Sequence, residues 1–337
     1  MACPVDMATP KNILLIRLKS IGDILFTLPA VHTVRENFPG AKITFLASHE
    51  NAPLLRGFRE VNNVIAIDRA QLRNPFRAAP EFFRLLRSLR AEKFSLAVDF
   101  QGYGETAWLS WWTGAPERWG SVYVAGREWL YTRGAWRSHK IHPAEWNLSL
   151  LRQGGLRTGK IRNEFVLPAD ALEKARRFFQ TNKLDEYKTT LFIQPFTSSP
   201  QKNWPLENFL KLGWHWRSRG VQVLFGGGVS ERDALEPARA AGFPISAGAP
   251  LLVSAGLTKL STLTIGGDTG LLHLAVAMGK RVVMLMRSIV PGSTHPFQHA
   301  DWAVTPPAGK TVSEIQFNIV IEACAGVFSE RAGNASC

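Results

Sequence analysis

A chain of 337 residues, 45% hydrophobic and 20% charged, can bury a large core and is long enough for two domains of ordinary size. Forty Lys and Arg against 27 Asp and Glu leave a formal net charge of +13. That excess favours anionic partners (nucleic acid, phosphorylated substrates or an acidic membrane surface) without choosing among them. The three cysteines, Cys3, Cys324 and Cys337, form neither a Cys-x-x-Cys pair nor an even-numbered framework. Neither a zinc site nor a disulfide scaffold is expected, and a reduced, cytoplasmic setting is. Residues 1–7 lack a basic n-region and an apolar h-region, and no uncharged apolar run approaches the roughly 18 residues of a bilayer span. A soluble or at most peripheral protein is expected.

Asn12 to Leu18 is a continuous apolar run, as in a strand buried on both faces of a parallel sheet. A turn at 19–23 leads into helical spacing over 24–38, with Pro29 placed to shift the helix start or kink it. Strand 41–48, helix 51–58, strand 61–68, an amphipathic helix 80–94 and strand 95–100 continue the alternation, which means βαβ units. Residues 101–147 differ. Seven of the 11 tryptophans (108, 111, 112, 119, 129, 136 and 146) fall here, interleaved with Arg118, Arg127, Arg133, Arg137 and Lys140. These rings could stack bases, dock at a membrane or fill a core, and no nucleic-acid-binding motif accompanies them. Helical character returns over 142–153, and the glycines of 154–159 read as a linker.

The alternation then restarts: helix 168–180, strand 189–196, a loop at 197–204, and helix 205–219 with proline at its first position. Strand 221–225 ends in three glycines, helix 230–241 follows, and 251–260 is helical. Thr264 to Gly267 is a strand, Asp268 reads as an acidic N-cap, a helix runs to Gly279, and Val282 to Leu285 is a strand. A last strand at 302–305 and a helix over 312–327 complete an α/β chain of two doubly wound halves, 11–155 and 160–325. The final helix is a candidate to pack back on the first half.

Doubly wound sheets bind ligands beyond the carboxyl ends of their strands, which selects the loops 19–23, 197–204, 226–231 and 266–270. Asp23 is a helix cap or a general base for an acceptor hydroxyl. Lys202, in a hydroxyl-rich loop before a helix, is a solvated lysine or a phosphate ligand. Glu231 is a favourable first-turn carboxylate or an acid for ribose hydroxyls. Gly226-Gly-Gly-Val-Ser-Glu231 is not a Gly-x-Gly-x-x-Gly fingerprint, so a nicotinamide cofactor is disfavoured. His273 follows Thr269 by four residues on the same helix face, and no second His or Cys stands at ligand spacing, so no metal site is expected. Free amides at the start of the 270s helix make an anion site, with Asp268 beside it as a cap or a ligand.

Taken together, Ile16-Arg-Leu-Lys-Ser-Ile-Gly-Asp-Ile-Leu-Phe-Thr-Leu-Pro-Ala30, Thr197-Ser-Ser-Pro-Gln-Lys-Asn-Trp-Pro205 and Gly267-Asp-Thr-Gly-Leu-Leu-His-Leu-Ala275 resemble the lipopolysaccharide heptosyltransferases, glycosyltransferase family 9. The resemblance covers about residues 11–325. It implies a GT-B fold, two Rossmann-like domains facing across a cleft, with the acceptor on the N-terminal domain and an ADP-sugar on the C-terminal one. It implies inverting, metal-independent transfer of a heptose to a phosphorylated glycolipid of the lipopolysaccharide inner core. By the same matching, Asp23 is the catalytic base, and Ser20 and Gly22 belong to the acceptor loop. Thr197, Ser198 and Lys202 match phosphate ligands, and Asp268, Thr269, Gly270, Leu271 and His273 match the diphosphate and sugar loop. Glu231 matches the ribose acid, with Asp233 close by. No cofactor beyond the donor and no nucleic acid are implied. Peripheral contact with the inner face of the membrane, through Arg84, Arg87 and the 108–140 stretch, suits such an acceptor. Residues 101–147 and 288–299 depart from the pattern. Rival readings are a same-fold transferase for another nucleotide sugar, a nucleotide-sugar epimerase, and a non-catalytic nucleotide-binding protein.

Overall fold

The computed structural model describes residues 10–68 and 75–334, and within these the chain divides into two compact units, the first ending at Glu164 and the second beginning at Phe165. The first unit is built on β1 (Asn12–Ile16), β2 (Lys42–Ser48), β3 (Asn63–Ile67), β4 (Leu96–Asp99), β5 (Glu117–Val122) and β6 (Arg133–Trp136). They form one parallel sheet in the order β3-β2-β1-β4-β5-β6. The second unit repeats the plan with β7 (Thr190–Gln194), β8 (Gln222–Gly227), β9 (Ile245–Ala247), β10 (Leu263–Gly267), β11 (Val282–Leu285) and β12 (Ala303–Val304). Their order is β12-β11-β10-β7-β8-β9, the same permutation read from the other edge. In each sheet the order reverses once, between β1 and β4 and between β7 and β10. Such a reversal opens a crevice at the carboxyl ends of the two central strands.

The central strands are apolar because both faces are covered: Leu14, Ile16, Leu46, Ala97 and Leu89 form one core, and Ile193, Phe209, Leu212, Phe225 and Ile265 the other. Each fully buried side chain of this kind contributes roughly 1.5–3 kcal/mol. Pro29 does interrupt the first helical stretch: the chain forms helices Ile21–Leu25 and Leu28–Asn37, with the proline in the first turn of the second. The expected helix 51–58 is a 3-10 turn over Ala52–Gly57, and the expected helix 230–241 is two 3-10 turns, Val229–Glu231 and Asp233–Leu235, followed by α-helix over Glu236–Ala240. Pro205 caps its helix rather than occupying its first turn. The tryptophan-rich segment supplies a helix (Gly104–Trp112) and two of the six strands. Its rings divide between two roles: Trp119 and Trp146 are core, while Trp108, Trp111, Trp112, Trp129 and Trp136 are exposed. Gly154 caps the helix Pro143–Gln153, and the division between the units falls at Glu164 and Phe165. The last helix, Phe317–Asn334, buries Val320, Cys324 and Val327 in the core of the second unit.

Candidate active site

In the first unit the loop after β1 is held by the loop after β4. Gln101 accepts from the Leu18 amide at 2.9 Å through its side-chain oxygen, and Asp99 accepts from the amides of Gln101 and Gly102, each at 2.9 Å. Asp99 is wholly buried, which raises its carboxyl above the ordinary range against the pull of its hydrogen bonds. Its second oxygen accepts from the Tyr131 hydroxyl at 2.7 Å. This framework sets Arg17, whose guanidinium donates to the carbonyls of Lys19 and Phe100, each at 3.0 Å, and reaches Asp23 Oδ2 at 2.7 Å.

Asp23 is not the N-cap. Ser20 is, with Asp23 at the third helical position, and the Ser20 amide and hydroxyl donate to Oδ2 at 3.2 and 3.3 Å. Three donors thus converge on Oδ2, and none of the described hydrogen bonds goes to Oδ1. Asp23 is thus the partner of the Ser20 cap and not the cap itself: on a side chain 36% exposed, Oδ2 takes the three donors, and Oδ1 has no partner among the described hydrogen bonds. Ser20 lies exposed and Gly22 half-buried at the same turn.

In the second unit Gly266 and Gly267 let the loops after β7 and β10 close on each other. A Cβ on Gly266 would collide with the Gln194 carbonyl oxygen, and one on Gly267 with the Thr197 methyl. Thr197 braces its loop: its amide donates to Asn203 Oδ1 at 2.8 Å and its hydroxyl to the Ser199 carbonyl at 2.8 Å. Ser198 is exposed beside it. Across this junction Lys202 and Asp268 meet, Nζ donating to Oδ2 at 3.1 Å. His273 Nε2 lies 2.9 Å from Oδ1, and the Thr294 hydroxyl donates to Oδ2 at 2.9 Å.

Asp268 is not the helix cap that its position suggested. The backbone is still extended at Thr269, which is the N-cap, so the helix Gly270–Ala277 starts one residue later. The carboxylate turns instead to the three donors just named. Burial alone would raise its pKa, but the hydrogen bond and charge of His273, then Lys202 and Thr294, outweigh burial and hold it at about 2. Beside it the Thr269 hydroxyl is buried without a partner, and the amides of Gly270, Leu271 and Leu272 have no acceptor inside the helix. That is a group of donors around one held carboxylate, suited to a diphosphate and the hydroxyls of a sugar.

Glu231 follows β8 as a ribose-binding acid would, but Oε2 is taken by the Gly228 amide at 2.7 Å. It makes no hydrogen bond to the Asp268 group, and Asp233 is exposed beyond it. The structure thus gathers Lys202, Asp268 and His273 at one point, with Thr197 as a brace, and leaves Glu231 in the 3-10 turn Val229–Glu231 that follows β8. Thr294 was missed because it lies 26 residues beyond Asp268 in an irregular loop. Gln101 and Tyr131 were hidden in the tryptophan-rich segment, where no periodicity marks them, and Asp99, the last residue of β4, lies within the predicted strand 95–100 with nothing local to mark its role. Among the described residues no group of three or more His, Cys, Asp or Glu side chains is placed to hold a metal ion.

Two doubly wound parallel sheets, each with polar and charged groups at its strand-order reversal, define an α/β protein of paired Rossmann-like units. The model of glycosyltransferase family 9 (heptosyltransferase) matches residues 82–314. Lipopolysaccharide heptosyltransferase 1 of Pseudomonas aeruginosa is 25% identical over 294 residues, 84% of this chain and 80% of that protein. Among solved structures, the glycosyl transferase family 9 protein of Veillonella parvula superposes with a TM-score of 0.85 at 19% identity, covering 95% of this chain and 98% of that one. The Escherichia coli heptosyltransferase WaaC, solved with ADP-2-deoxy-2-fluoro heptose, gives 0.74 at 20%, covering 94% and 99%. The fold is of the GT-B type. The chain belongs to glycosyltransferase family 9 and is a heptosyltransferase-like glycosyltransferase.

Proposed function

We propose that the protein transfers a heptose from ADP-heptose to a lipopolysaccharide inner-core acceptor, with inversion and without a metal ion. The observation that carries this reading is the meeting of Lys202 and Asp268, 66 residues apart, beside the free amides of Gly270–Leu272. A diphosphate on those amides sits within reach of the Lys202 ammonium, and Asp268 accepts from sugar hydroxyls while His273 and Thr294 hold it ionised. Thr197 and Ser198 line the same loop, and Glu231 takes the ribose through its second oxygen. Asp23 removes the proton of an acceptor hydroxyl through Oδ1. The hydroxyl oxygen then displaces ADP at the anomeric carbon, and Lys202 with the helix amides takes up the charge on the leaving diphosphate, where preorganised donors act most strongly.

For the glycolipid partner, the reading rests on the outward face of helix Gly104–Trp112. Trp108, Trp111 and Trp112 project there where a surface helix is ordinarily polar, and Trp129 packs edge-on against Trp108 and Trp111. Phe83, Arg87 and Arg90 continue the face through a groove shared with Trp112, and Glu81 is paired with Arg84. Indoles ringed by arginine suit the interface of an anionic bilayer, so the protein acts as a peripheral enzyme at the inner membrane face. No helix among the described residues is long and apolar enough to cross a membrane.

The test is product analysis with ADP-heptose, with and without a lipopolysaccharide core acceptor. ADP appearing only with acceptor supports transfer. An altered ADP-sugar without acceptor indicates an epimerase, and saturable ADP binding without turnover indicates a binding protein.

A further inference from the structure

Four strand ends of the first unit converge beside Asp23, and one side chain there lacks a counterpart. Arg137 follows β6, its amide donating to the Val122 carbonyl at 2.9 Å. Its guanidinium lies over the Trp146 ring, 5.2 Å from the centroid, and its Nε is buried with no hydrogen-bond partner. Tyr123, after β5, is half-buried within electrostatic reach, together with Arg17 and Asp23 from the β1 side and Tyr103 from the β4 loop. The rings continue from one to the next: Tyr103 lies 5.5 Å from Tyr123, and Tyr123 lies 5.9 Å from His139.

The charge in this group does not balance. Its carboxylate is Asp23, and Arg17 already engages that group at 2.7 Å. Burial pushes the Tyr123 phenol up, so it stays neutral and offers a hydroxyl donor instead of a negative charge. Arg137 is therefore a partly buried cation whose guanidinium makes no ion pair or side-chain hydrogen bond among the described residues, the nearby Asp23 being engaged by Arg17. Removing a guanidinium from water without a partner is costly, so its retention here calls for an anion from elsewhere. The planar fork suits a carboxylate or a phosphate, and the flanking tyrosines suit the faces of a sugar ring.

We infer that Arg137 is the anion-recognition residue of the acceptor site, binding a carboxylate or phosphate that the acceptor carries beside the hydroxyl activated by Asp23. This rests on the reading of Asp23 as the acceptor-side base. It makes Arg137 a positioning residue with no part in bond making.

The test uses Arg137→Met, which keeps the apolar stem over Trp146, and Arg137→Lys, which keeps the charge without the fork. Loss of a charge-assisted pair predicts an acceptor KM raised about ten- to hundredfold in the Met variant, and less in the Lys variant, with the ADP-heptose KM unchanged. In the wild type, inorganic phosphate competes with the acceptor if the group is a phosphate. Glucuronate competes, and glucose does not, if it is a carboxylate. Neither anion competes in the Met variant. An unchanged acceptor KM in a Met variant that melts at the wild-type temperature overturns the assignment, as does equal inhibition of both proteins by both anions. Should the Met variant fail to fold, an acceptor KM in the Lys variant equal to wild type overturns it. Absence of turnover in the wild type would instead sink the transferase reading. Arg137 is then judged by whether phosphate or glucuronate alters wild-type tryptophan fluorescence in a way the Lys variant weakens, and no change overturns it.

Discussion

Replacing Asp268 by asparagine tests the central arrangement of the second unit, because the substitution keeps the shape and removes only the charge. The carboxyl falls from an ordinary 3.8 to about 2 through His273, Lys202 and Thr294 working against burial. At about 1.4 kcal/mol for each tenfold change in proton affinity, that corresponds to roughly 2 kcal/mol of native-state stabilisation. The side chain is only 15% exposed, so solvent screens little of it. The folded-state pKa is depressed, so this stability is complete above the unfolded value near 4. It is lost as pH falls through about 2. The Asp268→Asn variant should therefore be about 2 kcal/mol less stable in urea unfolding at pH 7, with a melting temperature lower by about 4–8 °C. The gap should stay level from pH 7 to pH 5 and begin to narrow below pH 4. A gap that is absent at pH 7, or that widens on acidification, would refute the claim that these three donors hold the carboxylate.

Asp23→Ala should abolish glycosyl transfer while changing the ADP dissociation constant by less than about threefold, since Oδ1 serves the acceptor; retained turnover would remove Asp23 as the base. Lys202→Ala should weaken ADP binding by about tenfold, as expected for one charge-assisted contact, but cost no more than about 1 kcal/mol of stability because the ammonium is half-exposed. Calorimetric titration with ADP, run beside a thermal melt, separates the two effects. Gly266→Ala should destabilise by about 1–3 kcal/mol, because its new methyl meets the Gln194 backbone, which cannot swing aside as a side chain could. A melting temperature equal to wild type would show that the ends of β7 and β10 are less tightly joined than described.

Much of this molecule was legible in its residues, for reasons of periodicity and loop position. Apolar runs at 13–16, 191–193 and 282–285 mark strands buried on both faces, and their alternation with helical patterns leaves few topologies for a parallel sheet. The rule that ligands gather at the carboxyl ends of strands then directs attention to Asp23, Lys202, Glu231 and Asp268 without coordinates. Local chemistry near those ends was less legible, because helix starts depend on where the backbone leaves the extended region. The one-residue displacement of the cap from Asp268 to Thr269 changes a capping acid into a side chain held by three donors. Asp23 moved the other way, from cap to third position, which frees one of its oxygens.

Other features exist only in three dimensions. Lys202, Thr294 and Asp268 are far apart in the chain, and only the strand order that sets β10 beside β7 brings two of them together. The tryptophans between 101 and 147 are one residue type with two fates, decided by which side of a helix or sheet each occupies: Trp119 and Trp146 inside, Trp108 and Trp129 outside. Arg137 looked like one basic residue among several in that segment. Its significance comes from being half-buried over Trp146, beside a carboxylate already claimed by Arg17. Sequence period determines the secondary structure because backbone geometry repeats locally. Charge balance at a site does not, because it depends on every strand end that arrives there.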